Sequence, residues 1–207
     1  MLVPPVGAAV KDAPVRICCV GAESTGKSTL VRALAERHGG AFVPEFGRDY
    51  TLRKQLAGTN DHWDTADFVT IAVEQQRLED ASEPCELLFC DTDAMSTDLW
   101  HERYLGTRSA TVNAIARMRT YDLFVLCDID VPWEADQIRL GADTRAAMHQ
   151  RLLDVIAVER PEPMLVVSGD LASRMELVAA EIDRLGLLDP GYERARWRTA
   201  DGFRVPH

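Results

Sequence analysis

Residues 16–28 read Arg-Ile-Cys-Cys-Val-Gly-Ala-Glu-Ser-Thr-Gly-Lys-Ser. Gly21, Gly26, Lys27 and Ser28 satisfy every fixed position of G-x-x-x-x-G-K-[ST]. The apolar run 17–20 has the composition of a strand buried on both faces, and Leu30, Val31 and Leu34 recur at helical spacing beyond the loop. A glycine-bracketed loop joining a buried strand to an amphipathic helix restricts the chain to an α/β fold with a parallel sheet, and places the loop at the sheet's carboxyl edge.

Each residue type in the loop has a physical task. Gly21 and Gly26 let the backbone take conformations a side chain would forbid, so that successive N–H groups turn toward an anion. The positive end of the following helix adds to that field. Lys27 reaches β- and γ-phosphates as a point charge, and the Ser28 hydroxyl suits the Mg²⁺ that bridges them. Gly21, Glu23, Ser24, Thr25, Gly26, Lys27, Ser28 and Thr29 are therefore the expected nucleotide-binding set.

With 207 residues the chain has room for one full α/β core and a small inserted lid. The expected organisation is a flexible leader at 1–14, a folded domain at 15–186 with a lid at about 132–151, and a tail at 187–207. A net charge of −10 argues against DNA, RNA or an anionic membrane as partner. The five cysteines are odd in number and form no C-x-x-C pair. They read as core residues of a reduced, cytoplasmic protein. The leader lacks the pattern of a signal or transit peptide, and no apolar run is long enough to span a bilayer. Oligomeric state is left open, a homo-oligomer included.

Taken in order, a first strand at 15–20 and a helix at 27–38 stop at Gly39-Gly40. A short strand at 41–44 then delivers Glu45 and Arg48 to the same rim as the loop. Residues 51–63 read as a polar connection or a partly helical loop. Asp64 and Asp67 signal a helix start, and Phe68, Ile71, Ala72, Gln75 and Leu78 share one face up to about residue 80. The apolar strand 85–90 ends in Asp91-Thr92-Asp93. A carboxylate at that place, downstream of a phosphate loop, suits a magnesium ion, which assigns Asp91 with Ser28 to the metal. Helices are expected at 96–105 and 110–119, and a fourth strand at 121–127. Two short helices about Gly141 carry Arg139, Arg145 and Arg151, where a lid places arginines on a transferring phosphoryl group. Residues 152–158 continue a helix that Pro161 and Pro163 break, a fifth strand at 164–167 precedes a last helix capped at 168–170, and 168–172 are an adenine-site candidate.

The expected fold is thus a P-loop three-layer α/β sandwich with a mainly parallel five-stranded sheet and a small helical lid. Such folds host many activities, so the sites must decide among them. A guanine-reading Asn-Lys-x-Asp element is absent from the sequence. An AAA-type machine needs a helical lid domain and an oligomer arginine, for which the chain is short. A small-molecule kinase needs an acceptor pocket, a base and a lid, and each has candidates. The alternatives are a kinase for another nucleoside or small alcohol and a nucleotide-dependent regulatory ATPase or binding module.

The blocks GAESTGKSTLV, PEFGRDY, CDTDAMST and DIDVPWEADQIR, with the helix 67–75 between them, resemble the ribosylnicotinamide kinase domain of the bacterial NadR family over about residues 15–186. The resemblance implies ATP- and Mg²⁺-dependent phosphorylation of the 5′-hydroxyl of nicotinamide riboside, a step of NAD salvage. Members usually carry an adenylyltransferase domain as well. No H-x-G-H signature occurs here, so that activity is not expected.

The cationic pyridinium of such an acceptor favours an acidic slot walled by aromatic faces. Phe46, Tyr50, Trp100, Tyr104 and Trp133 lie near the acidic strand ends, with Trp100 and Trp133 the preferred pair. Lys27, Arg139 and Arg145 are assigned to phosphate oxygens, and Glu45 to the 5′-hydroxyl proton. Asp93 is assigned to the ribose hydroxyls, with an exchange of roles between Asp93 and Glu45 left open. Arg48 is assigned to orienting Glu45.

Overall fold

The computed structural model describes residues 14–59, 61–82, 85–132, 142–189 and 192. Trp133 and Arg139, the expected leader up to residue 13 and nearly all of the tail beyond 189 lie outside the described residues, as does the first half of the expected lid.

Five strands form one sheet: β1 (Val15–Val20), β2 (Ala41–Val43), β3 (Leu87–Asp91), β4 (Leu123–Cys127) and β5 (Met164–Val167). Their order is β2-β3-β1-β4-β5, and every pairing is parallel. The chain leaves β1 toward one side of the sheet to build β2 and β3, then crosses to the other side for β4 and β5. The strand order therefore reverses at β1, and a crevice opens beyond its carboxyl end.

The strands are apolar on both faces because helices cover both. On one face Ile17, Cys19, Phe89, Val125 and Cys127 pack with α1 (Lys27–His38) and α7 (Leu171–Arg184). On the other, Cys18, Val20, Leu88, Cys90, Phe124 and Leu126 meet α3 (Thr65–Asp80), α4 (Ala94–Leu105), α5 (Ala110–Arg117) and α6 (Ala142–Glu159). Alternate residues of one strand thus feed two separate cores, the pattern expected of a parallel sheet buried on both sides. Four of the five cysteines are buried within these cores, and all five are free thiols.

The helix punctuation follows the sequence signals. Asp64 and Asp67 close a reciprocal capping box on α3, Asp170 caps α7, and α1 ends on Gly39 in the left-handed conformation. The structure departs from expectation in one place. The strand end at 45–50 and the first part of the stretch read as a connection or partly helical loop form one regular helix, α2 (Phe46–Leu56). None of its residues is buried, so it shows no apolar stripe to read. Polar bonds to α3 hold it instead: Phe46 N donates to Gln75 Oε1 (2.9 Å), Tyr50 Oη to Asp67 Oδ1 (2.7 Å) and Lys54 Nζ to Asp67 Oδ2 (2.8 Å). Helix α6 runs on through the 152–158 stretch expected to continue a helix beyond the lid. Met148, Leu152, Val155 and Ile156 form one buried stripe along it.

Candidate active site

The β1–α1 loop opens the crevice. Gly21 has φ +155° and no room for a side chain, since a Cβ would lie 2.9 Å from Thr25 Oγ1 and 3.0 Å from the Cys127 carbonyl oxygen. Gly26 caps α1 with φ 80°. Two non-glycine residues also sit in the left-handed region, Ser24 (φ 56°) and Thr92 (φ 78°), and both line the crevice. Such conformations cost on the order of 1–3 kcal/mol each and persist where surrounding structure enforces them. Thr92 N donates to the Cys19 carbonyl (2.9 Å), and the Ser24 carbonyl accepts from Arg145 (3.1 Å). Lys27 Nζ donates to the Ala22 carbonyl (2.9 Å), folding over its own loop.

A cavity of about 210 Å³ extends from this loop. One end is the loop itself, from Gly21 through Thr29. The other is walled by Trp63, Phe68, Trp100 and Tyr104, with Glu45, Arg48, Thr51, Thr92 and Thr97 between. The rings contact one another: Trp63 lies 5.3 Å from Phe68 and 5.2 Å from Tyr104, and Trp100 lies 6.3 Å from Tyr104, all tilted. Such contacts lock the walls in place and add to the apolar area they bury.

Glu45 is the half-buried residue preceding α2, and its carboxylate makes no capping bond to that helix. Burial pushes its carboxyl pKa up, and the nearby charges of Asp91 and Glu23 push the same way, while Lys27 and Arg48 pull it down. The Glu23 charge also reaches Tyr104, whose hydroxyl pKa is raised by burial first and by Glu23 second. Arg103 pulls the same hydroxyl down, and the two carboxylates that line the cavity, Glu23 and Glu45, share it with Lys27 and Arg48. Cys19 and Cys127 adjoin the loop, but burial raises both thiols, Cys127 to about 11, so neither is a ready nucleophile.

Most expected site residues meet here. Gly21, Glu23, Ser24, Thr25, Gly26, Lys27, Ser28, Thr29, Glu45, Arg48 and Trp100 all line the cavity. Asp91 ends β3 opposite Cys19, and its buried Oδ1 has no hydrogen-bond partner. Asp93 does not join them. It is 1% exposed, and its Oδ1 accepts from Ser96 N (2.9 Å) and Ser96 Oγ (2.8 Å) to cap α4. Its charge acts on Glu79, Tyr121 and Glu162, a buried polar group apart from the cavity. In this structure Arg145 likewise meets backbone rather than the cavity, donating to the carbonyls of Ser24 and Val131 (2.8 Å).

Sequence reasoning missed Trp63, Phe68 as a wall, and Arg174. Trp63 stands alone in a polar stretch, and only packing against α3 and α4 brings it to the site. Arg174 had a readable signal. It heads the stripe that continues through Val178 and Ile182 on the buried face of α7, where an arginine must find partners. It lines a second groove of about 340 Å³ with Ser24, Gly26, Thr29, Val131, Pro132 and 169–171, the stretch expected to adjoin the base.

Comparison with known proteins places these features in context. The chain is 31% identical over 162 residues to the trifunctional NAD biosynthesis/regulator protein NadR of Salmonella typhimurium, and the match covers 76% of this chain but 39% of that protein. Among solved structures, a NadR protein in complex with NR superposes with a TM-score of 0.62 at 20% identity, covering 84% of this chain and 52% of that one. Deoxyadenosine kinase from M. mycoides, bound to dCMP and dCDP, gives a TM-score of 0.60 at 11% identity over 82% of this chain and 99% of that one. At such identities the structural likeness speaks for the P-loop α/β fold. The expectation against an AAA-type machine concerned a helical lid domain and an oligomer, whereas the family match is to the P-loop domain itself. Residues 16–174 match the family described as AAA domain, most of the chain and nearly the whole sheet, and the chain belongs to that family of P-loop proteins.

Proposed function

We propose that the protein is an ATP-dependent kinase that phosphorylates the 5′-hydroxyl of nicotinamide riboside to give nicotinamide mononucleotide. One observation carries the reading: a single cavity is lined by the phosphate loop, by the carboxylates Glu23 and Glu45, and by the rings of Trp63, Phe68, Trp100 and Tyr104. Aromatic faces beside carboxylates suit a cationic ring attached to a sugar, through cation–π attraction and charge pairing. The sequence likeness to NadR supports the same acceptor.

In this reading Lys27 leaves the Ala22 carbonyl to meet the β- and γ-phosphates, and the loop N–H groups hold the remaining oxygens. Mg²⁺ fits the residues present, since the Ser28 hydroxyl lines the cavity and the Asp91 Oδ1 is a buried carboxylate oxygen without a partner. These two residues would hold it, and it would supply charge neutralisation at the phosphates. Among the described residues no group of three His, Cys, Asp or Glu side chains forms a metal site, and an ion held mainly by phosphates and water needs none. Glu45 accepts the 5′-hydroxyl proton as that oxygen bonds to the γ-phosphorus, and ADP departs with the electrons of the broken bond. Its raised pKa makes it a better proton acceptor than an ordinary surface carboxylate. Arg48 balances the Glu45 charge. The groove beside Arg174 takes the adenine base.

The test is incubation with ATP, Mg²⁺ and a panel of nucleosides, with products identified by mass. The 5′-monophosphate of nicotinamide riboside is expected to be the dominant product. Phosphorylation of another nucleoside, with nicotinamide riboside untouched, overturns the acceptor; ATP binding without any acceptor product overturns the kinase.

A further inference from the structure

Arg174, at the head of the buried stripe of α7, is 3% exposed, and its guanidinium is held by backbone and carboxylate oxygens. Its Nη1 donates to the Thr25 carbonyl (2.6 Å) inside the phosphate loop, and its Nε donates to the Gly169 carbonyl (2.9 Å) in the β5–α7 loop. Its Nη2 reaches Asp130 after β4, and Asp130 in turn accepts from Gly169 N. Loops following β1, β4 and β5 thus converge on one planar fork, which a cation with directional donors can satisfy and a point charge cannot.

We infer that Arg174 is a positioning residue that holds the phosphate loop in its anion-receiving shape by fixing the Thr25 carbonyl. The peptide that carries this carbonyl is planar and trans, so fixing the oxygen on Arg174 turns the Gly26 N–H the opposite way, away from Arg174. Gly26 lines the loop cavity and Arg174 does not. The loop needs such a hold: Ser24 is left-handed without being glycine, and a loop free to relax would scatter its N–H groups. Arg145 grips the neighbouring Ser24 carbonyl from α6, so two arginines from distant elements secure consecutive carbonyls. Electrostatic preorganisation of this kind strengthens anion binding without itself touching the anion. The inference rests on the nucleotide-binding part of the reading above and adds a residue to it.

Magnesium tripolyphosphate is the discriminating probe, because it has no base and occupies only the loop. Its affinity and that of ATP are measured by calorimetry for the wild type, Arg174→Lys and Arg174→Met, with thermal unfolding recorded alongside. Loss of a buried charge-assisted bond predicts a drop of about tenfold or more in tripolyphosphate affinity for both variants. Lysine is expected to rescue little, since it keeps the charge and loses the fork. Wild-type affinity in Arg174→Lys would overturn the inference by reducing Arg174 to a charge. Should both variants fail to fold, Asp130→Asn, which loosens the fork from outside the loop, is expected to weaken tripolyphosphate binding several-fold, and an unchanged value overturns the inference. If the wild type binds neither probe, it is the nucleotide-binding reading that falls.

Discussion

Replacing Glu45 by glutamine separates the chemistry from the binding. The substitution keeps the shape of the side chain and its place before α2. It removes the proton acceptor, and general-base assistance contributes roughly 10²–10⁴-fold, so turnover should fall within that range. ATP affinity should hold or rise slightly, because a carboxylate beside Asp91 and Glu23 is lost from a cavity that must take up phosphates. Two pH effects follow with defined signs. In the wild type the acidic limb of kcat/KM should lie above the ordinary carboxylate range, because burial raises the Glu45 pKa and the base works only when ionised. That limb should vanish in Glu45→Gln. For stability the sign is reversed. A carboxyl whose pKa is higher folded than unfolded destabilises the fold as pH rises from the unfolded value through the folded one. The glutamine variant should therefore melt at a slightly higher temperature at neutral pH, and no higher at pH 4. Steady-state rates across pH 4.5–8, with melting curves at both ends, provide the assay. Wild-type turnover with an unchanged acidic limb would refute the assignment of the base.

Other substitutions probe the walls and the frame. Trp63→Ala should raise KM for nicotinamide riboside about tenfold while changing KM for ATP little, since loss of a cation–π face and its packing removes on the order of 1–2 kcal/mol at the acceptor end alone; initial-rate kinetics with each substrate varied decide it. Gly21→Ala should abolish nucleotide binding and lower the melting temperature, because its methyl meets Thr25 Oγ1 and the Cys127 carbonyl at or below 3.0 Å; calorimetric titration with ATP checks this. Asp98→Ala should cost about 3–5 kcal/mol in denaturant unfolding. It strips a fully buried carboxylate from Arg108 Nε (2.6 Å) and Ser109 N (2.7 Å), leaving that arginine with Glu159 alone.

The legible parts of the molecule were those where local chemistry and tertiary placement agree. The strands announced themselves as apolar runs because helices cover both faces, and Asp64, Asp170 and Gly39 marked helix ends because a cap is a local bond. The phosphate loop is legible for the same reason, as its glycines answer to their own backbone. Helix α2 is legible only as a connection or partly helical loop, because it buries nothing and is held by side-chain bonds to α3, which no periodicity reports. Asp93 looked like a site acid because it follows a strand by two residues. Its carboxylate instead caps α4, whereas Asp91 closes β3 itself, one residue beyond the expected strand end. Trp63 entered the cavity through ring contacts between elements far apart in the chain, a placement set by the fold alone. Arg174 was legible in principle as a charge at the head of an apolar stripe, although its partners in three different loops were not.

The account turns on one cavity serving both a polyphosphate and a cationic nucleoside. A crystal structure with a non-hydrolysable ATP analogue, Mg²⁺ and nicotinamide riboside tests it directly. The account predicts the pyridinium ring among Trp63, Trp100 and Tyr104, and the 5′-hydroxyl within hydrogen-bond reach of the Glu45 carboxylate, about 2.6–3.2 Å. A nucleoside bound elsewhere, or one whose 5′-hydroxyl points away from Glu45 and from the γ-phosphate, would contradict it.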